Sequence, residues 1–188
     1  MTKSALILVD IQNDYFSGGR WSLDGMEAAA ANAARLLAAA RRSGTLVLHI
    51  RHEMDRPDAP FFAPGSEGAE INAVVAPEGD EPVLLKHRPN SFLGTDLKTR
   101  LDDAGADAVT ICGAMSQMCV DATARAAADF GYRVTVAADA CAAKAVSHGG
   151  VEAPAAMVHT AIMGALAAAY GDVTTTEAAL GALADEPA

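Results

Sequence analysis

The sequence predicts a doubly wound α/β fold, a parallel sheet covered by helices on both faces. Three observations carry that expectation. Short apolar runs at residues 5–9, 45–50, 82–85, 108–112 and 132–138 read as strands buried on both faces. Helix-forming stretches separate them, so strand and helix alternate along the chain. The connections are crossovers rather than hairpins, which makes neighbouring strands parallel.

Taken in order, residues 5–9 form a strand that ends at Asp10, followed by a loop rich in polar and aromatic groups. Residues 25–42 form an Ala-rich helix, and Gly44 is its stop. Residues 45–50 are the second strand. Residues 51–68 carry Pro57, Pro60, Pro64 and two glycines, an extended excursion of a length that usually serves function. A short helix is expected over 69–75 and a third strand over 82–85, ending at Lys86. Thr95 caps a helix through Ala104, which Gly105 ends. The run 108–112 is broken by Gly113, Ser116 is placed as the N-cap, and residues 117–130 form a helix. Val120, Thr123, Ala127 and Phe130 fall on one face of it. Gly131 closes that helix, and the fifth strand runs to Asp139. A loop with Lys144, His148 and two glycines leads to a helix over 151–170. Residues 172–175 read as a sixth strand and 177–183 as a weak terminal helix, with the last residues expected to fray. No repeat, linker or composition break divides the chain, so residues 1–188 are expected to form one domain.

Composition narrows the function. Hydrophobic residues make up 51% of the chain and charged residues 20%, which excludes wholesale disorder. A net charge of -10 with no basic block argues against nucleic acid as a partner. Three cysteines, Cys112, Cys119 and Cys141, form neither an even set nor a CxxC pair. That pattern fits a reducing compartment better than a disulfide framework or a zinc site. The apolar run near the N-terminus is too short for a signal peptide, and no run approaches the length of a membrane span. The chain is expected to be cytoplasmic, with no membrane partner. No strand is followed by a GxGxxG or Walker loop, and no cofactor is expected.

Chemistry concentrates at three strand ends. Cys119 falls in the first turn of a helix that leaves the C-terminal end of a central strand. Free N–H groups and the positive helix end favour an anion there, and would lower a thiol from its usual value of about 8.5. The same N–H groups are placed to hold a developing oxyanion. Asp10 ends the first strand and Lys86 the third, and ligands of doubly wound sheets bind beyond such ends. A carboxylate to take the thiol proton and an ammonium beside both would make an activated nucleophile. Each residue also has a plain alternative. Cys119 can be a small buried hydrophobe, Asp10 a turn cap and Lys86 an exposed lysine. Asp139 stands at a similar strand end. Residue pattern alone leaves both readings open.

The segments Asp10-Ile-Gln-Asn-Asp-Tyr, Lys86-His-Arg-Pro-Asn-Ser-Phe and Gly113-Ala-Met-Ser-Gln-Met-Cys-Val-Asp-Ala-Thr resemble the three signatures of the isochorismatase-like cysteine hydrolases. The likeness extends over nearly the whole chain, including Gly131-Tyr-Arg-Val and Asp139-Ala-Cys-Ala. It implies a six-stranded parallel sheet in the order 3-2-1-4-5-6, and a homodimer or homotetramer. It also implies hydrolysis of a C–N bond in a small amide or ureide through a thioester. Cys119 would be the nucleophile, Asp10 the general base and acid, and Lys86 the electrostatic partner. A cis peptide before Met115 is implied as well, with the Met115 and Cys119 N–H groups as oxyanion hole.

Nicotinamidases of this family carry a metal at an Asp-x-His after the second strand. The present chain has His49-Ile-Arg-His52-Glu-Met-Asp55 there, with Glu53 and Asp55 expected to face solvent, so no metal is expected. The runner-up activity is vinyl-ether hydrolysis of the isochorismatase type, with Asp10 as acid and no need of Cys119. From another class, a non-catalytic flavodoxin-like binding module is the alternative, and a redox pair of Cys119 with Cys112 is disfavoured by the buried strand position of Cys112. Substrate-binding candidates are Gln12, Phe16, Trp21, Phe62 and Gln117, with Tyr15, Phe61, Arg51 and His148 as further candidates. For the aromatic ones, packing on the scaffold is an equal alternative.

Overall fold

Strand β1 (Ser4–Val9) has side chains that point alternately into two cores, and that alternation sets the architecture. Leu6 and Leu8 pack with Leu36 and Leu37 of helix α1 (Met26–Ser43) and with Ala179 of helix α5 (Thr176–Ala184). Ala5, Ile7 and Val9 pack on the other face, where three helices lie. These are α2 (Leu97–Ala104), α3 (Asp121–Asp129) and α4 (Ala155–Ala169). Each fully buried Leu, Ile or Val contributes roughly 1.5–3 kcal/mol, so a strand apolar on both faces is held from both sides. The structure, a computed structural model, describes residues 3–184; the expected fraying of the last residues lies outside them.

The other strands of the main sheet are β2 (Leu46–His52), β3 (Val83–Lys86), β4 (Ala108–Ala114), β5 (Arg133–Ala142) and β8 (Asp172–Thr174). All pairings are parallel, and the order is β3-β2-β1-β4-β5-β8. Counting only strands of this sheet, that is the 3-2-1-4-5-6 order the resemblance implies. The strand order reverses beside β1, so the crevice beyond β1 and β4 is where such a fold binds ligands.

Four local expectations are corrected. Residues 146–153 are an antiparallel hairpin, β6 (Val146–His148) and β7 (Val151–Ala153), not a loop and the start of a helix. Gly149 and Gly150 have φ of 58° and 79°, the left-handed geometry of a two-residue hairpin turn. Pro154, which lacks an N–H and sits at the start of α4, delays that helix to Ala155. Residues 69–75 form no helix of their own. Two 3-10 turns, Glu67–Ala69 and Ala73–Val75, stand there instead, each opened by a side chain, Ser66 or Asn72, that accepts a backbone N–H. Strand β5 runs on past Asp139 to Ala142, because a register shift between Ile111 and Gly113 lets Cys141 pair opposite Gly113. Phe130 closes α3 half exposed, off the buried face of Val120, Thr123 and Ala127.

Candidate active site

The ends of β1, β2, β3 and β4 meet around one ammonium group. Lys86 is the last residue of β3, 1% exposed, and its Nζ lies 2.8 Å from Asp10 Oδ2 just past β1. The same nitrogen lies 3.2 Å from Cys119 Sγ and 2.9 Å from His52 Nδ1. Asp10 is fully buried, Cys119 is 3% exposed and His52 8%. The three residues singled out from the sequence therefore converge, and a fourth joins them.

Local backbone geometry makes the convergence possible. Asp10 has φ of 51°, a left-handed conformation that aspartate tolerates better than most residues, and its N–H donates to Ile50 O at 3.1 Å. This turns its carboxylate across the strand ends. Gly113 has φ of 124°, and a Cβ at that position would overlap Val9 O, so only glycine lets β4 close against the end of β1. The peptide between Ala114 and Met115 is cis. Residues Ser116–Val120 then make a π-helical turn in which Val120 N–H donates to Met115 O at 3.2 Å. Cys119 sits in that turn, ahead of α3. Ser116 is not the N-cap: its hydroxyl bonds inward, 3.1 Å from Ala142 O and 2.9 Å from His159 Nδ1, and so ties the turn to β5 and α4.

The electrostatics differ from the expectation of a lowered thiol. Burial and then the Asp10 charge push the Cys119 thiol above its ordinary value, and Lys86 opposes them without cancelling. Burial would raise the Asp10 carboxyl, but the charge of Lys86 beside it opposes this, and the group is held below the usual carboxylate value. Burial would likewise lower Lys86, and Asp10 and Cys119 outweigh it. The resting centre is thus carboxylate, ammonium and thiol. Neither Asp10 oxygen accepts a well-directed hydrogen bond among the described residues, so the carboxylate keeps lone pairs for an incoming proton.

The other sequence candidates fall in different places. Gln12 is fully buried, and its amide is bonded to the backbone. Its Nε2 donates to His52 O (2.8 Å) and Ala69 O (2.7 Å), and its Oε1 accepts from His52 N (2.8 Å). Both amide hydrogens are used in bracing the end of β2. Phe62 is buried beside the centre, its ring 6.0 Å from that of His52 and 4.6 Å from Tyr15. It too has φ of 51°, a strained conformation for an aromatic residue, held by a 2.6 Å bond from its N–H to Asp14 Oδ2. Trp21 stacks on Phe61 at 4.8 Å, and Phe16 packs partly buried on the same cluster. Gln117 donates to Lys144 O at 3.1 Å, and its Oε1 is buried without a partner among the described residues. Arg51 is paired with Glu53 and Glu70, and His148 is exposed on the hairpin.

In the histidine-rich segment, Asp55 is exposed as expected, and it is paired with Arg88. Glu53 is not: it is buried, bonded to Arg51 and to Gly65 N–H. His49 points away from the centre to Glu81 at 2.9 Å. The sequence reading missed His52 as a member of the site. The available signal was positional, because β2 lies between β1 and β3, and His52 pairs in register with Lys86. Among the described residues, Asp10, His52 and Cys119 form a set whose ligand atoms lie within 4.8 Å of one another. The Lys86 ammonium already stands among them, as a cation would.

Known proteins are similar to this chain in sequence and fold. The model of the Isochorismatase domain matches residues 4–178. An uncharacterised isochorismatase family protein of Bacillus subtilis, YddQ, is 45% identical over 177 residues, covering 94% of this chain and 98% of that protein. Maleamate amidohydrolase of Pseudomonas putida is 33% identical over 148 residues, 71% of this chain and 70% of that one. The crystal structure of a putative isochorismatase hydrolase from Oleispira antarctica superposes with a TM-score of 0.92 at 48% identity, covering 96% and 97% of the two chains. N-carbamoylsarcosine amidase from Thermoplasma acidophilum gives 0.79 at 26% identity, covering 94% and 98%. With the matched domain spanning almost the whole chain and the sheet order the same, the protein belongs to the isochorismatase family of hydrolases.

Proposed function

We propose that the protein is a cysteine hydrolase that cleaves the C–N bond of a small amide or ureide through a thioester on Cys119. The observation that carries this reading is the contact of Lys86 Nζ with both Asp10 Oδ2 (2.8 Å) and Cys119 Sγ (3.2 Å) at a buried strand-end crevice. The two amidases among the relatives support the bond type.

Because the resting sulfur is a thiol, proton transfer accompanies attack. Asp10 takes the Cys119 proton as sulfur bonds to the acyl carbon, and the carbonyl electrons move to oxygen, held by the Met115 and Cys119 N–H groups. The C–N bond breaks as Asp10 returns the proton to the leaving nitrogen. Water, deprotonated by Asp10, then attacks the thioester, and the acid leaves with Cys119 reprotonated. Lys86 stays charged throughout and offsets the negative charge shared by Asp10 and sulfur. Phe62, Tyr15, Trp21 and Phe16 supply apolar walls for a small substrate, and Gln117 Oε1 supplies an acceptor.

No cofactor or metal takes part in this reading. It places the enzyme in the cytoplasm as one domain, without nucleic-acid or membrane partners. Among the described residues no helix is long and apolar enough to cross a membrane. A homodimer or homotetramer is proposed, supported by exposed Val146, Val151 and Met157 on the hairpin and α4. Incubation with a panel of small amides and ureides tests the activity. Ammonia release with a covalent adduct on the Cys119 peptide is expected. Turnover of isochorismate with no adduct would replace the amidase reading with the vinyl-ether one.

A further inference from the structure

We infer that His52 is a positioning residue of the centre, accepting a hydrogen bond from the Lys86 ammonium through Nδ1. An ammonium has three N–H donors and no acceptor. Lys86 Nζ has two hydrogen-bond acceptors, His52 Nδ1 at 2.9 Å and Cys119 Sγ at 3.2 Å, and Asp10 Oδ2 at 2.8 Å is its ion-pair partner. A group that only donates requires Nδ1 to be unprotonated, so His52 carries its proton on Nε2. Nδ1 lies 3.8 Å from both Asp10 Oδ2 and Cys119 Sγ, well beyond its distance to the ammonium. Its single lone pair on Nδ1 is therefore directed to Lys86 rather than to the thiol. His52 does not take the Cys119 proton.

The backbone supports the same assignment. His52 is in register with Lys86 across β2 and β3, and its N–H and C=O are both clamped by Gln12. The ring is further confined by the buried Phe62. An imidazole fixed at backbone and ring holds one N–H of the ammonium in place. A second is then aimed at the sulfur, with the Asp10 carboxylate alongside as counter-ion. An ammonium held by two hydrogen bonds and one ion pair is what keeps a cation beside Cys119 in so buried a site.

The functional meaning of this inference rests on Cys119 being the nucleophile, but its test does not use amide turnover. The rate of Cys119 alkylation by iodoacetamide is measured against pH by peptide mapping, in wild type, His52→Ala, His52→Asn and His52→Gln. Asparagine places its oxygen where Nδ1 stands and has no basicity, whereas glutamine carries it one bond further. Losing a hydrogen bond to a buried charge is expected to slow His52→Ala about tenfold to a hundredfold near neutral pH, with the profile displaced to higher pH. His52→Asn should stay within about threefold of wild type, since its acceptor is retained. His52→Gln should behave like the alanine variant. If His52→Ala does not fold, the Asn and Gln pair decides alone. An asparagine variant as slow as glutamine, or all variants alkylating at the wild-type rate, overturns the assignment. Inactivity of the wild type towards every amide, with this alkylation pattern intact, would count against the proposed function and not against His52.

Discussion

Replacing Lys86 by methionine should destabilise the protein more at neutral pH than in mild acid. The substitution keeps the stem, which is fully buried, and removes an ammonium in contact with three groups. Asp10 is left buried with its charge unpaired, and breaking one side of such a pair costs about 3–5 kcal/mol. Against a total stability of roughly 5–15 kcal/mol, that is a large share. With a urea slope of about 2 kcal/mol/M, the midpoint should fall by about 1.5–2.5 M at pH 7. The pH dependence follows from the Asp10 carboxyl. In the wild type its folded pKa lies below 3.8, so it contributes stability that is present above 3.8 and lost as pH falls through the lower value. Lys86, raised above 10.5, contributes stability present below 10.5 and lost as pH rises through its higher folded value. Without Lys86, burial dominates and Asp10 titrates above 3.8 in the folded state. The variant then gains from protonation below that pKa, so its deficit against wild type should shrink as pH falls through that raised value towards 3.8. Adding Asp10→Asn should recover part of the loss, because no charge remains to bury. Urea melts at several pH values measure all of this. Equal midpoints for wild type and Lys86→Met, or a deficit that does not change with pH, would refute the buried ion pair as the source.

Three further outcomes are expected. Cys119→Ala and Asp10→Asn should each lower turnover of an accepted amide by several orders of magnitude, since residues of such a unit are not additive, and a chelator should leave the wild-type rate unchanged; near-full activity of Cys119→Ala would remove the thioester. Of the three thiols, all raised by burial, Cys119 should react fastest with iodoacetamide, because it has an ammonium at 3.2 Å to stabilise the thiolate as it forms; labelling led by Cys141 on peptide mapping would contradict this. Gly113→Ala should be too destabilised to purify as a folded protein or should lose more than about 3 kcal/mol in a thermal melt, since its φ of 124° is strained for any side chain and the new Cβ meets Val9 O.

The sequence by itself determined the layered fold and the three reactive groups of the centre. Short apolar runs without alternation, bounded by turn residues, read as strands covered on both faces, and β1 is such a strand, with Leu6 and Leu8 in one core and Ala5, Ile7 and Val9 in the other. Glycines and strand lengths then put Asp10, Lys86 and Cys119 at strand ends, where a parallel sheet gathers its ligands. Local signals failed where the deciding partner is distant in sequence. Ser116 reads as a cap, yet its hydroxyl is claimed by Ala142 and His159 from elements that follow it. Gln12 reads as a pocket residue, yet both its amide hydrogens are claimed by carbonyls of His52 and Ala69. The thiol reads as activated by its helix position, but burial and the Asp10 charge, which depend on the assembled crevice, outweigh Lys86 and raise it. His52 was the largest omission. The resemblance already implied the strand order that puts the end of β2 between Lys86 and Asp10, but only the packed sheet decides the register that sets His52 opposite Lys86 and brings an imidazole within 2.9 Å of the ammonium.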